Sequence, residues 1–156
     1  MKLIDVVKDS LDANGIAYDQ QLKPDDVLIA YPVIKKQELP CAISAIDTDK
    51  IICLEYYLDD NIEDDHIYEE LMQFIIRANN NLSIGSLSFD YDNDVVIFKN
   101  GIHMDYIGNP QVSIARFIQK TGEEAVRLMF HIHSIAIGKS TCEGEFDLFS
   151  LLRTEN

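Results

Sequence analysis

Residues 41–57 place the tightest constraint on what this chain can fold into. Two apolar, strand-forming runs, Cys41-Ala42-Ile43-Ser44-Ala45-Ile46 and Ile51-Ile52-Cys53-Leu54-Glu55-Tyr56-Tyr57, flank the polar tetrapeptide Asp47-Thr48-Asp49-Lys50. Two such runs around a short polar loop form an antiparallel hairpin. With Ile46 opposite Ile51, Ser44 faces Cys53 and Cys41 faces Tyr56. The two cysteines are then not partners across the hairpin, and no disulfide is expected there.

The flanking segments supply further elements. Leu3, Ile4, Val7 and Leu11 fall at helical spacing, and Asn14-Gly15 stops a helix over residues 1–14. Ile16-Ala17-Tyr18 begins a short strand before the turn Lys23-Pro24-Asp25-Asp26. Val27 to Ile34 reads as a strand, with Pro32 marking a sheet edge. In the second helix Asn61 and Asp64 form a capping arrangement, and Ile67, Leu71, Phe74, Ile75 and Ala78 make one apolar stripe. Asn79-Asn80-Asn81 ends it.

Leu82 and Ile84 then differ in parity from Leu87, Phe89 and Tyr91, which predicts a β-bulge at Gly85-Ser86. Asp92-Asn93 turns the chain into Val95-Val96-Ile97-Phe98, and Asn100-Gly101 reads as another turn before Ile102 to Tyr106. Asn109-Pro110 starts a helix carrying Val112, Ile114, Phe117 and Ile118. The capping-box pattern Thr121-Gly122-Glu123-Glu124 predicts a separate helix to about Ile137, with Val126, Met129, Ile132, His133 and Ala136 on one side. After a polar break at 138–144, Phe146, Phe149 and Leu152 form an amphipathic tail. The expected fold is α+β, an antiparallel sheet with helices packed on it. We expect one domain over residues 1–156, with a core at 1–138 and the break and tail at 139–156.

Composition narrows the function. A chain of 156 residues with 47% hydrophobic side chains can build a core without a metal or disulfide staple. Twenty-seven acidic side chains against 13 basic ones give a net charge of −14. Phosphate backbones and anionic membranes are recognised by clustered Lys and Arg, so neither nucleic acid nor membrane is an expected partner. No stretch approaches the roughly 20 apolar residues of a membrane helix. Asp5, Lys8 and Asp9 interrupt any signal-peptide core. Three cysteines, Cys41, Cys53 and Cys142, are an odd number at irregular spacing. They suit a reduced, cytoplasmic setting.

Few residues suggest chemistry. Asp90, Asp92 and Asp94 begin like a calcium loop, but Val95-Val96 replaces the glycine and distal glutamate such a loop needs, so a hairpin turn explains them. His131 and His133 stand two apart on a helix and point away from each other, which no single metal ion tolerates. We expect His131 on the surface and His133 partly buried. No nucleophile elbow, P-loop or dinucleotide fingerprint is present. Cys41 and Cys53 lie in apolar strands where thiols are inert packing. Glu55 and Asp59 could pair as acid and base, but carboxylates are so numerous here that proximity alone says little. Phe146, Phe149 and Leu152 are the candidate partner-binding residues. They serve either as a tail docked on the chain's own sheet or as a partner or dimer contact.

The segments Phe74-Ile75-Ile76-Arg77-Ala78-Asn79 and Leu82-Ser83-Ile84-Gly85-Ser86-Leu87-Ser88-Phe89, with the hairpin through Asp92 to Phe98, resemble the type III secretion chaperone-like fold. Within it they are similar to the YbjN-type family, over residues 1–138. The resemblance implies an antiparallel sheet with helices on one side, homodimers, and binding rather than catalysis. Secretion chaperones bind extended effector segments, and YbjN-like proteins are described as regulators. No catalytic residue or cofactor carries over. The expected function is a non-enzymatic protein-binding module whose partner is a protein or a second copy of the chain. The alternatives are a small-molecule or cation-binding regulatory domain and, third, an enzyme without a recognisable motif.

Overall fold

The computed structural model describes residues 1–59, 62 and 64–154. Of Asp59 and residues 151–154 only the backbone is described. In chain order the elements are α1 (Leu3–Ala13), β1 (Ala17–Tyr18), β2 (Leu28–Tyr31), β3 (Val33–Ile34), β4 (Gln37–Glu38), β5 (Cys41–Ile46), β6 (Ile51–Asp59), α2 (Asp65–Asn79), β7 (Ser86–Asp90), β8 (Val95–His103), α3 (Pro110–Ala136) and α4 (Cys142–Thr154). Six strands form an antiparallel sheet in the order β1-β2-β5-β6-β8-β7, and β3 pairs with β4 as a separate ribbon. The α+β class is as expected. So is the hairpin register: Ile46 faces Ile51, Ser44 faces Cys53 and Cys41 faces Tyr56.

By its internal contacts the chain divides into two compact units, residues 1–56 with 99–124 and residues 57–98 with 125–156. In the first unit α1 buries Ile4, Val7 and Leu11. It ends at Asn14, and Gly15 takes the left-handed conformation (φ +67°) that glycine adopts without steric penalty. The Ser10 hydroxyl and the Asn14 amide both donate to the Gln111 carbonyl, at 2.7 and 2.9 Å, tying α1 to the start of α3. Asn109 caps α3 by accepting from Gln111 N–H at 3.0 Å, and Pro110 opens the helix, as the sequence predicts.

Several expectations are corrected. Pro32 does not mark a sheet edge, because β2 lies between β1 and β5. Instead it ends β2, and its carbonyl accepts Leu39 N–H at 2.9 Å as the chain leaves for the β3–β4 ribbon. That ribbon turns on Lys35 and Lys36, both at positive φ, the geometry of a tight hairpin. Asn100-Gly101 is not a turn: β8 runs through it, and the Asn100 amide donates to the Thr121 hydroxyl at 3.0 Å. No bulge forms at Gly85-Ser86. Gly85, at φ +65°, precedes β7, so the change of parity is where the strand begins.

The largest correction concerns α3, a single helix of 27 residues where two were expected. Thr121 and Gly122 sit in its interior, both buried. The Thr121 hydroxyl is engaged by Asn100 rather than by a helix N-terminus. Gly122 is where the helix comes down onto β3 and β6. A Cβ there would stand 2.5 Å from Ile34 Cδ1, 2.8 Å from Ile34 Cγ1 and 3.1 Å from the Tyr56 hydroxyl. Tyr56 is fully buried and its hydroxyl donates to the Ile118 carbonyl at 3.0 Å, so it cannot yield freely.

In the second unit α2 is capped by Asp64, whose carboxylate accepts His66 N–H at 2.7 Å. Its expected stripe is buried at Leu71, Phe74, Ile75 and Ala78. Ala125, Leu128, Ile132 and Ile135 of α3 are buried, and α4 packs on α2.

Substituting Gly122→Ala tests the close approach. Overpacking a core costs about 1–3 kcal/mol, whereas Gly→Ala inside a helix gains only about 1 kcal/mol. Denaturant unfolding should therefore show a net loss of stability, and Ile34→Ala should cost less in the G122A background than in the unaltered chain. A stabilised G122A protein would contradict the close approach.

Candidate functional site

In the first unit a groove of about 490 Å³ is lined by Asn14, Gly15 and Ile16 after α1, by Tyr31, Pro32 and Val33 where β2 passes into β3, and by Val112, Ala115, Arg116, Gln119 and Lys120 of α3. Its walls expose apolar surface, with Val33 at 62% and Val112 at 49% of full exposure. β3 explains the arrangement: Ile34 points inward against Gly122, which turns Val33 outward beside the helix. Arg116 and Lys120 are exposed and stand four residues apart, hence on one face of α3. The Tyr31 hydroxyl donates to the Asp19 carboxylate at 3.1 Å, and that hydrogen bond raises its pKa.

Charge sets α3 apart. It carries Arg116, Lys120 and Arg127 against Glu123 and Glu124. α1 carries Asp5, Asp9 and Asp12 against Lys8. α2 has Asp65, Glu69 and Glu70 against Arg77, and α4 has Glu143, Glu145 and Asp147 against Arg153. Among the described residues α3 is the one helix with an excess of cations.

The residues singled out from sequence lie in the second unit. Phe149 is fully buried, its ring 6.1 Å from Phe74 and 5.7 Å from His131, with the Arg127 guanidinium 4.9 Å over its face. It is a core residue holding α4 to α2 and α3, rather than to the sheet. Phe146 is half-buried beside Arg77, whose guanidinium lies 5.8 Å from the ring. The side chain of Leu152 lies outside the described residues, as do Asn61 of the expected cap and the Glu55–Asp59 pairing. Asp90 folds back on its own turn, accepting from Asp92 N–H, Asn93 N–H and the Asn93 amide at 3.0, 3.3 and 2.8 Å. Among the described residues no three His, Cys, Asp or Glu side chains gather as a metal site would require.

The expectation for the two histidines is reversed. His131 is buried and His133 exposed, because the unbroken α3 turns Leu128 and His131 inward on one line. His131 Nδ1 lies 3.6 Å from Glu145 Oε1, both side chains being buried. Burial lowers the imidazole pKa; Glu145 opposes this and Arg127 adds to it, and the net direction is downward. The cysteines are free thiols. Burial pushes Cys41 up to about 12, and burial also raises Cys53 and Cys142.

The edge of the sheet at β7 is closed by a side chain. Asn79 Oδ1 accepts Leu87 N–H at 2.7 Å, and Asn79 Nδ2 donates to the Leu87 carbonyl at 2.9 Å. A single amide thus takes the place of a neighbouring strand, blocking the addition of another chain at that point. The groove was missed from sequence because its lining comes from segments near residues 15, 32 and 116; only the outward Val33 and Val112 could have hinted at it.

With this geometry in place, the solved structures give a match. The chain is similar to the crystal structure of YbjN from E. coli, with a TM-score of 0.56 and 13% identity over 84% of this chain and 89% of that one. The fold is YbjN-like. A structure of the ExsC–ExsE complex aligns at a TM-score of 0.46 with 15% identity, over 77% of this chain and 96% of that one. No family model matches the chain. No curated protein matches it in sequence.

The buried imidazole gives a pH signature. Its folded-state pKa lies below the ordinary 6.5, so the unfolded chain takes up the proton first as pH falls. Stability should hold above about pH 6.5 and decline below it. His131→Phe should flatten that decline in thermal melts across pH; an unchanged slope would assign it to other groups.

Proposed function

We propose that this chain is a non-enzymatic, cytoplasmic protein-binding module that seats a segment of a partner polypeptide in the groove between α3 and β3. The observation that carries the reading is the pair Val33 and Val112, two aliphatic side chains held open to solvent on facing walls of a concave surface. Aliphatic side chains gathered in a concave surface, rather than scattered singly, are the kind of patch that a partner covers. The raised thiol pKa values speak against cysteine nucleophiles. The net charge of −14 speaks against a nucleic-acid surface. YbjN, a structural neighbour, carries the description of a candidate transcription regulator. For the present chain we read any regulatory role as acting through protein contacts.

A second copy of the chain is the other reading, favoured by a different face. Phe130, in the second half of α3, and Ile137, just past its end, are 73% and 47% exposed. They lie in a run from Ala125 to Cys142 that contains no carboxylate. Two chains of charge −14 repel, so self-association is easiest on such a face.

A photo-crosslinking residue placed at Val33 and, separately, at Phe130 tests both. The expected outcome is a partner polypeptide captured at position 33 and a chain-to-chain product at position 130, read by mass spectrometry. Failure to capture any polypeptide from position 33 in the native host would overturn the groove as the partner site.

A further inference from the structure

We propose that the groove takes an acidic, amphipathic segment, one in which carboxylates recur among aliphatic side chains. The proposal rests on the groove being the partner site and adds the chemistry of what enters it. A chain with 27 carboxylates and 13 cations offers every Lys and Arg an abundance of counter-charge. Lys99 and Lys50 take it, lying 3.7 Å from Glu55 and 3.7 Å from Asp105. Arg116 and Lys120 do not: among the described residues neither has an ion-pair partner, and no carboxylate lines the groove they border. Glu123, one turn beyond, accepts from the Gln119 amide at 3.4 Å.

The backbone adds to the positive potential. Val112 sits in the first turn of α3, at the positive end of the helix dipole. The negative end of α1 also reaches the groove, but the carbonyls of Ser10, Leu11 and Asp12 already accept from Asn14, Ile16 and Gly15. The site thus combines Ile16, Pro32, Val33 and Val112 with two adjacent cations, while the Asp19 carboxylate beside it is already engaged by the Tyr31 hydroxyl at 3.1 Å. Side chains one helical turn apart leave the helix with Cβ atoms about 5–6 Å from each other, close to the roughly 7 Å between alternate side chains of a strand. An extended segment can therefore present one carboxylate to each cation while its aliphatic side chains lie along Ile16, Pro32, Val33 and Val112.

Other occupants fit less well. A basic segment meets like charge at the rim. A polyanion needs a longer array of cations than the two that border the groove. A free small carboxylate leaves the exposed valines uncovered.

Fluorescence anisotropy of the full chain provides the test, using a dye-labelled peptide in which leucine alternates with glutamate, a counterpart with lysine for glutamate, and free glutamate as competitor. Saturable binding is expected for the glutamate peptide only, weakening at high salt and resisting free glutamate. Arg116→Gln with Lys120→Gln should weaken it by about tenfold or more, and R116E with K120E should reverse the preference toward the lysine peptide. Both side chains are exposed, so unchanged melting curves would show that the variants fold. No saturable binding, equal binding of both peptides, displacement by free glutamate, or binding that survives the charge reversal would each overturn the proposal. If position 33 still captures a polypeptide by crosslinking, the groove reading stands and only the acidic class falls.

Discussion

The seat of Gly122 on Ile34 and Tyr56 fixes the first unit. Without a side chain at that point, α3 can approach β3 and β6 closely enough to bury Ile114, Ile118 and Thr121. Hydrogen bonds from Asn100 to Thr121 and from Tyr56 to Ile118 hold the helix in rotation as well as in height. The same contact turns Ile34 inward and its neighbour Val33 outward. The groove is therefore a by-product of a packing constraint, and its apolar wall cannot be withdrawn without unseating the helix.

The second unit shows how the chain limits unwanted contacts. The Asn79 amide closes the exposed edge at Leu87, and Phe149 and His131 bring α4 onto α2. What remains open is selective. The acidic character concentrates on α1, α2 and α4, while α3 presents cations at one end and an acid-free aromatic and aliphatic face toward the other.

How much of this was legible in the sequence depended on whether the deciding interaction was local. The 41–57 hairpin was read to the exact residue pair because loop length and strand polarity determine register together. The stripe of α2 and the cap at Asn109 were likewise local patterns. Thr121-Gly122-Glu123-Glu124 misled because its pattern is that of a helix start, whereas its partners, Asn100, Ile34 and Tyr56, lie far away in sequence. Dividing α3 there also shifted its phase, which exchanged the expected environments of His131 and His133. Asn100-Gly101 failed for the matching reason, a turn-prone pair held straight by its contact with Thr121. The groove draws on three distant segments and left almost no trace in the sequence.

Hydrogen exchange measured on the chain alone and bound to its crosslink-identified partner tests the central claim most directly. Protection gained at residues 14–16, 31–33 and 112–120 is the predicted result. Protection confined to residues 86–91 or to α4, with the groove segments unchanged, would contradict the account.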